Sequence, residues 1–440
     1  MRFSISRRSW WPVAALLAVF AKSTFAEGPT VTLGGAGWMG YGSIVTSMDT
    51  ADGNDVTGKP LISSGAQVLL QAKINDNMDI EAGVGAGGGH LIAGKVKTQG
   101  GYAPFGVGPY VAQANFMYNF WKEEGSGFFL RGGLFTFDYA KENQNLGLYL
   151  LRGPVYPGFL LSGFETKHVL PVANTLGLHI HYQGGAFQND LLFQVESEFP
   201  PYYDISPAYI ATYQPGPAFR LTAGANFYHL IPVDPTLTTD TTRMRWVVKG
   251  GPGPEDDDTV QLSARAIKLM VNTAIDLKAI FGGIESLGPE DLKLYGEVAL
   301  LGLENTPAYK ELYGPYSQRM PMMAGFNLPA FKFLDRLALE VEYYGAPFRD
   351  DLSLFNHTAG NTVSTIPRDP DSSVTKDNIK WSLYGAKVLH EHIKLSLQVA
   401  SDHYRPGIFT GYGDNNPPVS DAVLTRPQDW YWMGKIAYFF

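Results

Sequence analysis

The sequence lacks cysteine and is short of charge. Charged residues make up 17% of the 440 residues, whereas about 25% is usual in a soluble protein. Without cysteine the chain has no disulfides and no thiolate metal sites. The formal net charge of -8 is modest and comes without a basic stripe that could neutralise phosphates, so we do not expect a nucleic-acid partner.

Long hydrophobic runs are missing as well. After the first 26 residues, no apolar stretch reaches the roughly 18 residues that a membrane-spanning helix needs. The chain is instead rich in aromatic residues, at 13%, and in glycine, with 49 residues. A length of 440 residues would ordinarily suggest roughly two or three domains, but closed β architectures of this length form single units.

The amino terminus has the pattern of a secretory signal peptide. Three arginines precede an apolar core from Trp10 to Phe20, and small residues precede a cleavage position after Ala26. The stretch SRRSWW also fits a twin-arginine export signal. We favour the general secretory route, because the rest of the chain has the features of a protein that travels unfolded. The sequence therefore predicts a signal peptide over 1–26 and one structural unit over 27–440.

Many segments alternate apolar and polar residues with a period of two, as a strand with two different faces does. In AQVLLQAKIN, Val68, Leu70 and Ile74 share one face, whereas Gln71 and Lys73 share the other. The same alternation recurs in YVAQANFMYNFW, LGLHIHYQ, DLKLYGEVALLGL, RLALEVEYY and HIKLSLQVASD. The stretch SARAIKLMVNTAIDLKAIF fits both a strand and a helix, and we favour a strand because its polar residues stay in phase.

The connections between these strands are alternately short and long. Tight connections such as NDN, AFQN and LHEH alternate with long ones rich in proline, glycine and aspartate, for example near 231–259 and 346–377. The pattern predicts an all-β fold: a single antiparallel transmembrane β-barrel of about 16 strands, within a range of about 14 to 18, with short periplasmic turns and long extracellular loops. A soluble β-sandwich also alternates, but its loops are short on both sides.

The chain ends in WYWMGKIAYFF, a strand with one strongly apolar face. The residues of that face are Trp430, Trp432, Gly434, Ile436, Tyr438 and Phe440. Such a face suits lipid, with aromatic side chains at both membrane interfaces. The segment resembles the C-terminal recognition signal of bacterial outer-membrane barrels, in which Gly434, Tyr438 and Phe440 would be the assembly signal. The resemblance implies passage through the periplasm and folding by the barrel-assembly machinery.

The strand number and loop arrangement over residues 27–440 resemble those of general and substrate-selective porins. The resemblance implies a location in the bacterial outer membrane, surrounded by its lipid, and a channel for passive diffusion of small hydrophilic solutes. Sugars or oligosaccharides are included because Tyr, Trp and Phe faces suit sugar rings. The alternative is a non-conducting surface protein whose loops bind polysaccharide or another protein. The sequence is also compatible with a homo-oligomer.

A second resemblance concerns two stretches of sequence. EDLKLYGEVALLGL and QRMPMMAGFNLPAFKFLDRLALEVEYY resemble uncharacterised outer-membrane proteins of fibre-digesting bacteria. This resemblance supplies no function.

Inward-facing charges would line the lumen, which at about sixteen strands is wide enough for an aqueous channel. The candidates are Lys73, Glu81, Arg131, Arg220, Lys268, Asp276, Lys293, Glu297, Glu340 and Glu342. Their signs are balanced, so the sequence predicts no strong ion preference and no basic ladder for phosphate. The other interpretation is that these residues pair across strands and stiffen the wall.

The third long loop, over roughly 140–174, is unusually apolar for a loop that faces water. In porins the third loop folds into the barrel and narrows it. If this loop does the same, Arg152 and Tyr149 or Tyr156 would lie at the constriction. The alternative is that the loop caps the barrel from outside.

Several stretches of the sequence contain residue types that occur in metal or phosphate sites. His179 and His181 share an inward face, a spacing that could hold a metal ion with a nearby carboxylate, but we favour pore-lining histidines and predict no metal and no cofactor. PEDDDT and DTADGND lack the spacing of a calcium-binding hand. The glycine-rich GVGAGGGH has no helix after it, so it fits a strand that leaves room for a neighbouring segment better than a phosphate cradle.

An enzymatic function is not predicted. A hydrolase built on a barrel needs a positioned serine, histidine and acid, and no in-phase serine can be placed beside His179 and His181. The first strand begins within a few residues of the predicted mature terminus, which leaves no room for the plug domain of an energised transporter.

Overall fold

The fold was obtained as a computed structural model. The structure describes residues 29–47, 50–51, 54–91, 108–147, 149, 159–160, 173–197, 203–233, 245–249, 257–261, 266–282, 284–303, 315–345, 378–402, 424 and 426–440. The predicted signal peptide lies outside these residues and stays a prediction.

Twenty strands make up nearly all the regular structure of the described residues. They are β1 (Thr30–Thr46), β2 (Thr50–Ala51), β3 (Asn54–Asp55), β4 (Pro60–Lys73), β5 (Met78–Leu91), β6 (Gly108–Glu123), β7 (Ser126–Phe137), β8 (Ala173–Gly184), β9 (Phe187–Val195), β10 (Ile205–Gly216), β11 (Phe219–Tyr228), β12 (Arg245–Lys249), β13 (Asp257–Gln261), β14 (Ala266–Asp276), β15 (Lys293–Leu300), β16 (Met322–Asn327), β17 (Arg336–Tyr343), β18 (Ile379–Leu389), β19 (Ile393–Ser401) and β20 (Trp430–Phe439). A single helical turn, Leu277–Ile280, follows β14, and a 3-10 turn covers Tyr316–Gln318.

Sixteen of these strands close into one antiparallel barrel. The order around the barrel is β1-β20-β19-β18-β17-β16-β15-β14-β11-β10-β9-β8-β7-β6-β5-β4, and β4 returns to β1. The other four strands form two small separate sheets, β2 with β3 and β12 with β13, inside long connections. The predicted all-β barrel of 16 strands is therefore confirmed, and so is the strand over Ala266–Asp276.

Short and long connections lie at opposite ends of the barrel. At one end, here the short-turn end, β6 joins β7 through two residues, β8 joins β9 through two, and β10 joins β11 through two. At the other end, here the long-loop end, the connections cover 47–59, 92–107, 138–172, 196–204, 229–265, 301–321, 344–378 and 402–429. Because the strands run up and down in sequence, β1 begins and β20 ends at the short-turn end.

The polarity of the wall is the reverse of that of a water-soluble barrel. Large apolar side chains on the outer face are exposed, including Val31, Leu33, Val68, Val84, Val111, Leu269, Val271, Leu294, Leu339, Val341, Leu383, Leu395 and Leu397. Polar side chains on the inner face are buried, including Gln67, Asn115, Thr175, Asp190, Gln194, Thr212, Thr222, Asn226, Lys268, Asn272, Glu297, Glu340, Lys380 and Ser382. A closed barrel leaves no strand edge unpaired, so an apolar exterior can face lipid without unsatisfied backbone groups.

Aromatic side chains collect at the short-turn end of the outer face. Pairs in contact at this end include Tyr118–Phe120, Trp121–Phe128, Trp121–Tyr182, Phe187–Tyr213 and Tyr438–Phe440. All of them lie beside the turns at 124–125, 185–186 and 217–218 or at the carboxyl terminus. Aromatic rings at this level suit the boundary between hydrocarbon and water.

The terminal strand closes the barrel. β20 pairs with β1 along ten residue pairs, from Ala36 with Phe439 to Thr46 with Trp430. Beyond the strand, the backbone of Phe440 exchanges hydrogen bonds of 3.1 and 3.0 Å with Gly35. Ile436, Tyr438 and Phe440 are exposed on the outer face, which confirms the predicted orientation of the apolar face. In the described part of the chain, no helix is long and apolar enough to cross a membrane.

At the short-turn end, one carboxylate binds the first residues of two strands. Glu290, in the connection between β14 and β15, accepts from Lys293 Nζ at 2.8 Å and from the Arg336 guanidinium at 2.5 Å. Partial burial opposes ionisation of this carboxyl, but the two cations outweigh burial and hold the pKa of Glu290 below its usual value. Arg336 begins β17, so the carboxylate links neighbouring hairpins.

We expect Glu290→Gln to lower the unfolding free energy by about 1 kcal/mol at neutral pH. Because the folded pKa lies below the unfolded one, the stabilisation is complete above the unfolded value of about 4.3 and is lost as pH falls through the folded pKa. Urea unfolding of the lipid-inserted barrel at pH 7 and pH 3 measures this. The difference between wild type and variant should shrink at pH 3. Glu285→Gln, an exposed change in the same connection, should have no effect, and an equal loss at both pH values would contradict the prediction.

Candidate functional site

The chain enters the lumen after β7. Residues 138–147 and Tyr149, here called the lumen segment, follow β7 and contact inward-facing side chains of β15 and β17. β17 stands eight places from β7 in the ring of sixteen strands, on the opposite wall. The segment therefore crosses the barrel, and the predicted infolding of the third long loop fits the described part of that loop.

Glu340 of β17 holds the middle of the lumen segment. Its Oε1 accepts from Gln144 N at 2.7 Å, and its Oε2 accepts from Asn145 N and Leu146 N, both at 2.9 Å. The hydroxyl of Tyr295 donates to Oε1 at 2.9 Å. The carboxylate is fully buried, so these four donors replace the water that an ionised group otherwise requires. Three successive backbone N–H groups aimed at one carboxylate fix the path of the chain.

Two further carboxylates extend this contact. Glu297 of β15 accepts from Tyr149 N at 2.9 Å and also from the Tyr139 hydroxyl and the Asn143 amide. Glu342 of β17 accepts from the Tyr149 hydroxyl at 3.0 Å and from Gly147 N at 3.2 Å. Together with Glu340 these form what we call the carboxylate latch, residues Glu297, Glu340 and Glu342. Each is buried beneath the segment.

Arginines hold the start of the segment. The guanidinium of Arg220, on β11, forms an ion pair with Glu142 and donates to Asn272 Oδ1 at 3.1 Å. Arg336 donates to the carbonyls of Lys141 and Glu142 at 3.4 and 3.3 Å. The segment is thus bound by anions at its N–H groups and by cations at its carbonyls and carboxylate.

Under the segment lies an apolar cluster that fills one side of the lumen. Its members include Phe135, Phe137, Tyr139, Leu146, Tyr149, Phe159, Leu160, Leu192, Ile210, Met270, Tyr295 and Met323. Phe159 donates its backbone N–H to Tyr149 O at 2.7 Å and accepts at its carbonyl from Asn226. Gly224 makes room for this ring, because a Cβ there would lie 3.0 Å from Cζ of Phe159. This side of the lumen is closed to solvent at that level.

The opposite side retains solvent contact. On β19 and β20 to one side of β1, and on β4, β5 and β6 to the other, polar side chains of the inner face remain partly or fully exposed. They are Gln71, Lys73, Asp79, Glu81, Gln113, Asn119, Lys394, Ser396, Gln398 and Lys435. We call this strip the polar lane. Cations and carboxylates both occur along it.

Glycines of β4 and β5 make room for aromatic rings that lie against the barrel wall. Trp38 lies flat over Gly65 and Gly87, where an added Cβ would meet the indole at 2.1 and 2.7 Å. Tyr110 lies in the same way over Gly85, and its hydroxyl donates to Gln67 Oε1 at 3.3 Å. The inward glycines of GVGAGGGH therefore accommodate rings that lie against the wall, which fits the expected role of making room for a neighbour.

The comparisons with known proteins concern the fold. No protein-family model matches the chain, and no curated protein matches it in sequence. A substituted porin of Rhodopseudomonas blastica is 9% identical, with a TM-score of 0.47, over 93% of this chain and 100% of its own. A triple variant of that porin is 10% identical, with a TM-score of 0.46 and the same coverage. A structure described as "Asymmetric conductivity of engineered proteins" is 10% identical, with a TM-score of 0.47 and again the same coverage.

The ten predicted pore-lining residues fall into three groups. Glu297, Glu340 and Glu342 form the latch and are covered by the segment. Arg220 binds the segment through Glu142, and Lys268 is buried with its Nζ 3.6 Å from the centre of the Tyr228 ring. Lys73, Glu81, Arg131, Asp276 and Lys293 make the third group, which does not contact the segment in the hydrogen bonds and ion pairs of the described residues.

Within the third group the positions differ. Lys73 is exposed beside Asp76, and Glu81 is half-buried and accepts from Asn115 at 3.4 Å. Asp276 ends β14 and caps the following helical turn by accepting from Ala279 N at 3.2 Å. Lys293 pairs with Glu290 at the short-turn end. These last two therefore lie at the rim.

The predicted constriction residues are only partly described. Tyr149 lies in the lumen segment and is fully buried. Arg152 and Tyr156 lie outside the described residues, so their role stays a prediction. The residues that the sequence did not single out are Tyr139, Glu142 and Asn143, which bind the latch and Arg220. No periodicity marks them. Glu142 and Asn143 lie in a dense polar run, KENQN, that begins four residues after the end of β7, whereas Tyr139 precedes that run.

Proposed function

We propose that this chain is a porin-like channel of the bacterial outer membrane through which small hydrophilic solutes diffuse passively. The observation that carries the proposal is the polar lane, a strip of solvent-contacting polar side chains on the five strands that flank β1, inside a barrel whose exterior is apolar. An apolar exterior suits lipid, and a polar interior suits a water-filled path. No catalytic role is proposed.

The residues of the polar lane also indicate which solutes would pass through the barrel. Lys73, Lys394 and Lys435 are offset by Asp79 and Glu81, so we expect weak ion selectivity. Tyr110 is half-buried and its hydroxyl donates to Gln67, so an aromatic ring lies among hydrogen-bonding side chains, a combination that suits sugar rings. Sugars or oligosaccharides are therefore the proposed solutes.

A second candidate function has its own support. The apolar cluster and the latch fill one side of the lumen with interlocked tyrosines, as expected for a barrel that acts through its outer loops. In that case the protein would be a non-conducting surface protein that binds polysaccharide or another protein. The polar lane favours the channel.

Single-channel recording of the refolded protein in a planar bilayer distinguishes the two. We expect discrete current steps, a reversal potential near zero in a salt gradient, and partial block by added oligosaccharides. Insertion of folded protein without current would overturn the channel and support the surface function. Steps without block would leave the channel in place and remove sugars as the proposed solute.

A further inference from the structure

Two histidines and one aspartate meet on the inner face of β8 and β9. Nε2 of His179 and Nδ1 of His181 each lie 2.7 Å from Oδ1 of Asp190. The three possible ligand atoms all lie within 4.8 Å of one another. The strand register explains why the three side chains lie close together. Asp190 is paired directly with His181, and His179 lies two residues along β8 on the same face.

The surroundings hold these side chains in place. Their exposed fractions are 5% for His179, 12% for His181 and 2% for Asp190. The Phe129 ring stacks on His181 with centroids 4.4 Å apart, and Gln188 Nε2 donates to the second oxygen of Asp190 at 2.9 Å. Hydrogen bonds that orient a ligating carboxylate are typical of metal sites. His181 is the most open of the three and faces the lumen.

We propose that His179, His181 and Asp190 bind a divalent transition-metal ion in the lumen wall. Two imidazole nitrogens and one carboxylate oxygen suit Zn²⁺, Co²⁺ or Ni²⁺, whereas Ca²⁺ and Mg²⁺ prefer oxygen ligands alone. Around a tetrahedral Zn²⁺ the ligand atoms are about 3.3 Å apart. The two contacts to Asp190 therefore need to lengthen by only about half an ångström, and a fourth position faces the lumen.

The ring protons of the two histidines must move when a metal ion binds. An ionised aspartate only accepts hydrogen bonds, so both imidazoles donate to Asp190 in the metal-free protein. Binding through Nε2 of His179 moves its ring proton to Nδ1, which is buried and has no hydrogen-bond partner within the described residues, so this step costs free energy that the metal–ligand bonds must exceed. Protonated imidazoles cannot ligate, so the metal affinity falls as the pH is lowered.

Arg131 of β7 supplies a test of the electrostatics. It is paired with His179 across β7 and β8, its guanidinium lies 5.5 Å from the centre of the Phe129 ring, and it interacts electrostatically with Asp190. In the metal-free protein its charge offsets that of Asp190. Once a metal ion is bound, the same charge repels it. Arg131→Gln should therefore tighten metal binding, whatever its effect on folding.

The experiment is calorimetric titration of the refolded, detergent-solubilised barrel with Zn²⁺, together with visible absorption on adding Co²⁺. We expect one ion per chain, a Co²⁺ absorption band of low coordination number, and no competition from Ca²⁺. The double variant His179→Gln with His181→Gln should lose the site. Gln188→Leu should weaken binding by about 10- to 100-fold, and Arg131→Gln should strengthen it.

Controls separate the site from other binding and from misfolding. His392→Gln removes an exposed histidine in the connection between β18 and β19 and should leave Zn²⁺ binding unchanged. The folded state of each variant is checked by its heat-dependent mobility on gels. If the double variant does not fold, the test is the Zn²⁺ affinity of the two single variants, which should fall in Gln188→Leu and rise in Arg131→Gln.

Folded wild-type protein that takes up no Zn²⁺ would overturn the proposal, and so would unchanged stoichiometry in the folded double variant. Absence of both single-variant shifts would do the same. The measurement needs no current, so a barrel that fails to conduct can still bind the metal. Failure of the channel function and failure of the metal site are therefore distinguishable.

Discussion

Glu340→Gln is expected to release the lumen segment from the far wall and to raise the unitary conductance of the barrel. Both carboxylate oxygens of Glu340 accept hydrogen bonds from backbone N–H groups of the segment. A glutamine keeps one oxygen, and its NH₂ group then faces N–H donors. At about 1.5–3 kcal/mol for each hydrogen bond to a charged group, the attached state loses about 3 kcal/mol or more. The detached population then rises by more than about a hundredfold.

Planar-bilayer recording measures this effect through the step size and the open-channel noise. Cleavage at Lys141 by a lysine-specific protease reports detachment independently of current. Glu285→Gln is the control, because Glu285 is exposed in the connection between β14 and β15 and belongs neither to the polar lane nor to the contacts of the segment. Folded Glu340→Gln protein with wild-type steps and wild-type cleavage would contradict the latch. Under the surface-protein alternative, the variant would gain current where the wild type has none.

Replacing Gly133 and Gly177 by alanine is expected to prevent barrel formation. The two glycines face each other across β7 and β8. Gly133 has φ +116 and an added Cβ would lie 2.3 Å from Ala114 O, whereas Gly177 has φ +153 and the same atom would lie 2.0 Å from Phe193 O. The backbone conformation alone costs about 1–3 kcal/mol at each position for a residue with a side chain. The clash with the neighbouring strand adds to that cost.

Folding yield and the urea midpoint in lipid vesicles measure this prediction. We expect each single variant to lower the midpoint and the double variant to remain unfolded on gels. Gly216→Ala is the control, because a Cβ there meets nothing within 4 Å. A double variant with the yield and midpoint of Gly216→Ala would show that β7 and β8 adapt without strain.

The position of this glycine pair relates stability to the candidate site. Gly133 lies five residues before the lumen segment begins at Asp138, and Gly177 lies near the start of β8, where the chain returns to the wall. The same two strands carry Arg131, His179 and His181, so the segment and the proposed metal site share one part of the wall.

Much of the fold could be predicted because lipid and water impose a local pattern. Along β20, Ile436, Tyr438 and Phe440 alternate with residues of the inner face, and the structure places them outside. The stretch Ala266–Asp276 fitted a helix as well, and the in-phase polar residues Lys268 and Asn272 correctly indicated a strand. The sequence did not reveal the helical turn Leu277–Ile280, because Asp276 caps it at the end of a continuous alternation.

The candidate site could be predicted only in outline. Glu297, Glu340 and Glu342 were recognisable as inward-facing, but nothing local indicated that backbone N–H groups would cover them. Gln144 and Glu340 are 196 residues apart. In the same way, His179 and His181 were visible as a pair, whereas their carboxylate partner lies on the next strand and is identified by the register of β8 with β9.

The sequence by itself determined the wall of this protein: strands of period two, alternate short and long connections, an apolar exterior and a terminal strand that closes the ring. These features can be seen in the sequence because each strand has one face toward lipid and one toward the interior, and the polarity of each residue matches the face on which it lies. Only the tertiary structure decided what the interior contains. The path of the lumen segment, the latch and the His179–His181–Asp190 cluster depend on hydrogen bonds between groups on different strands, and a one-residue change of register would move each partner to the other face.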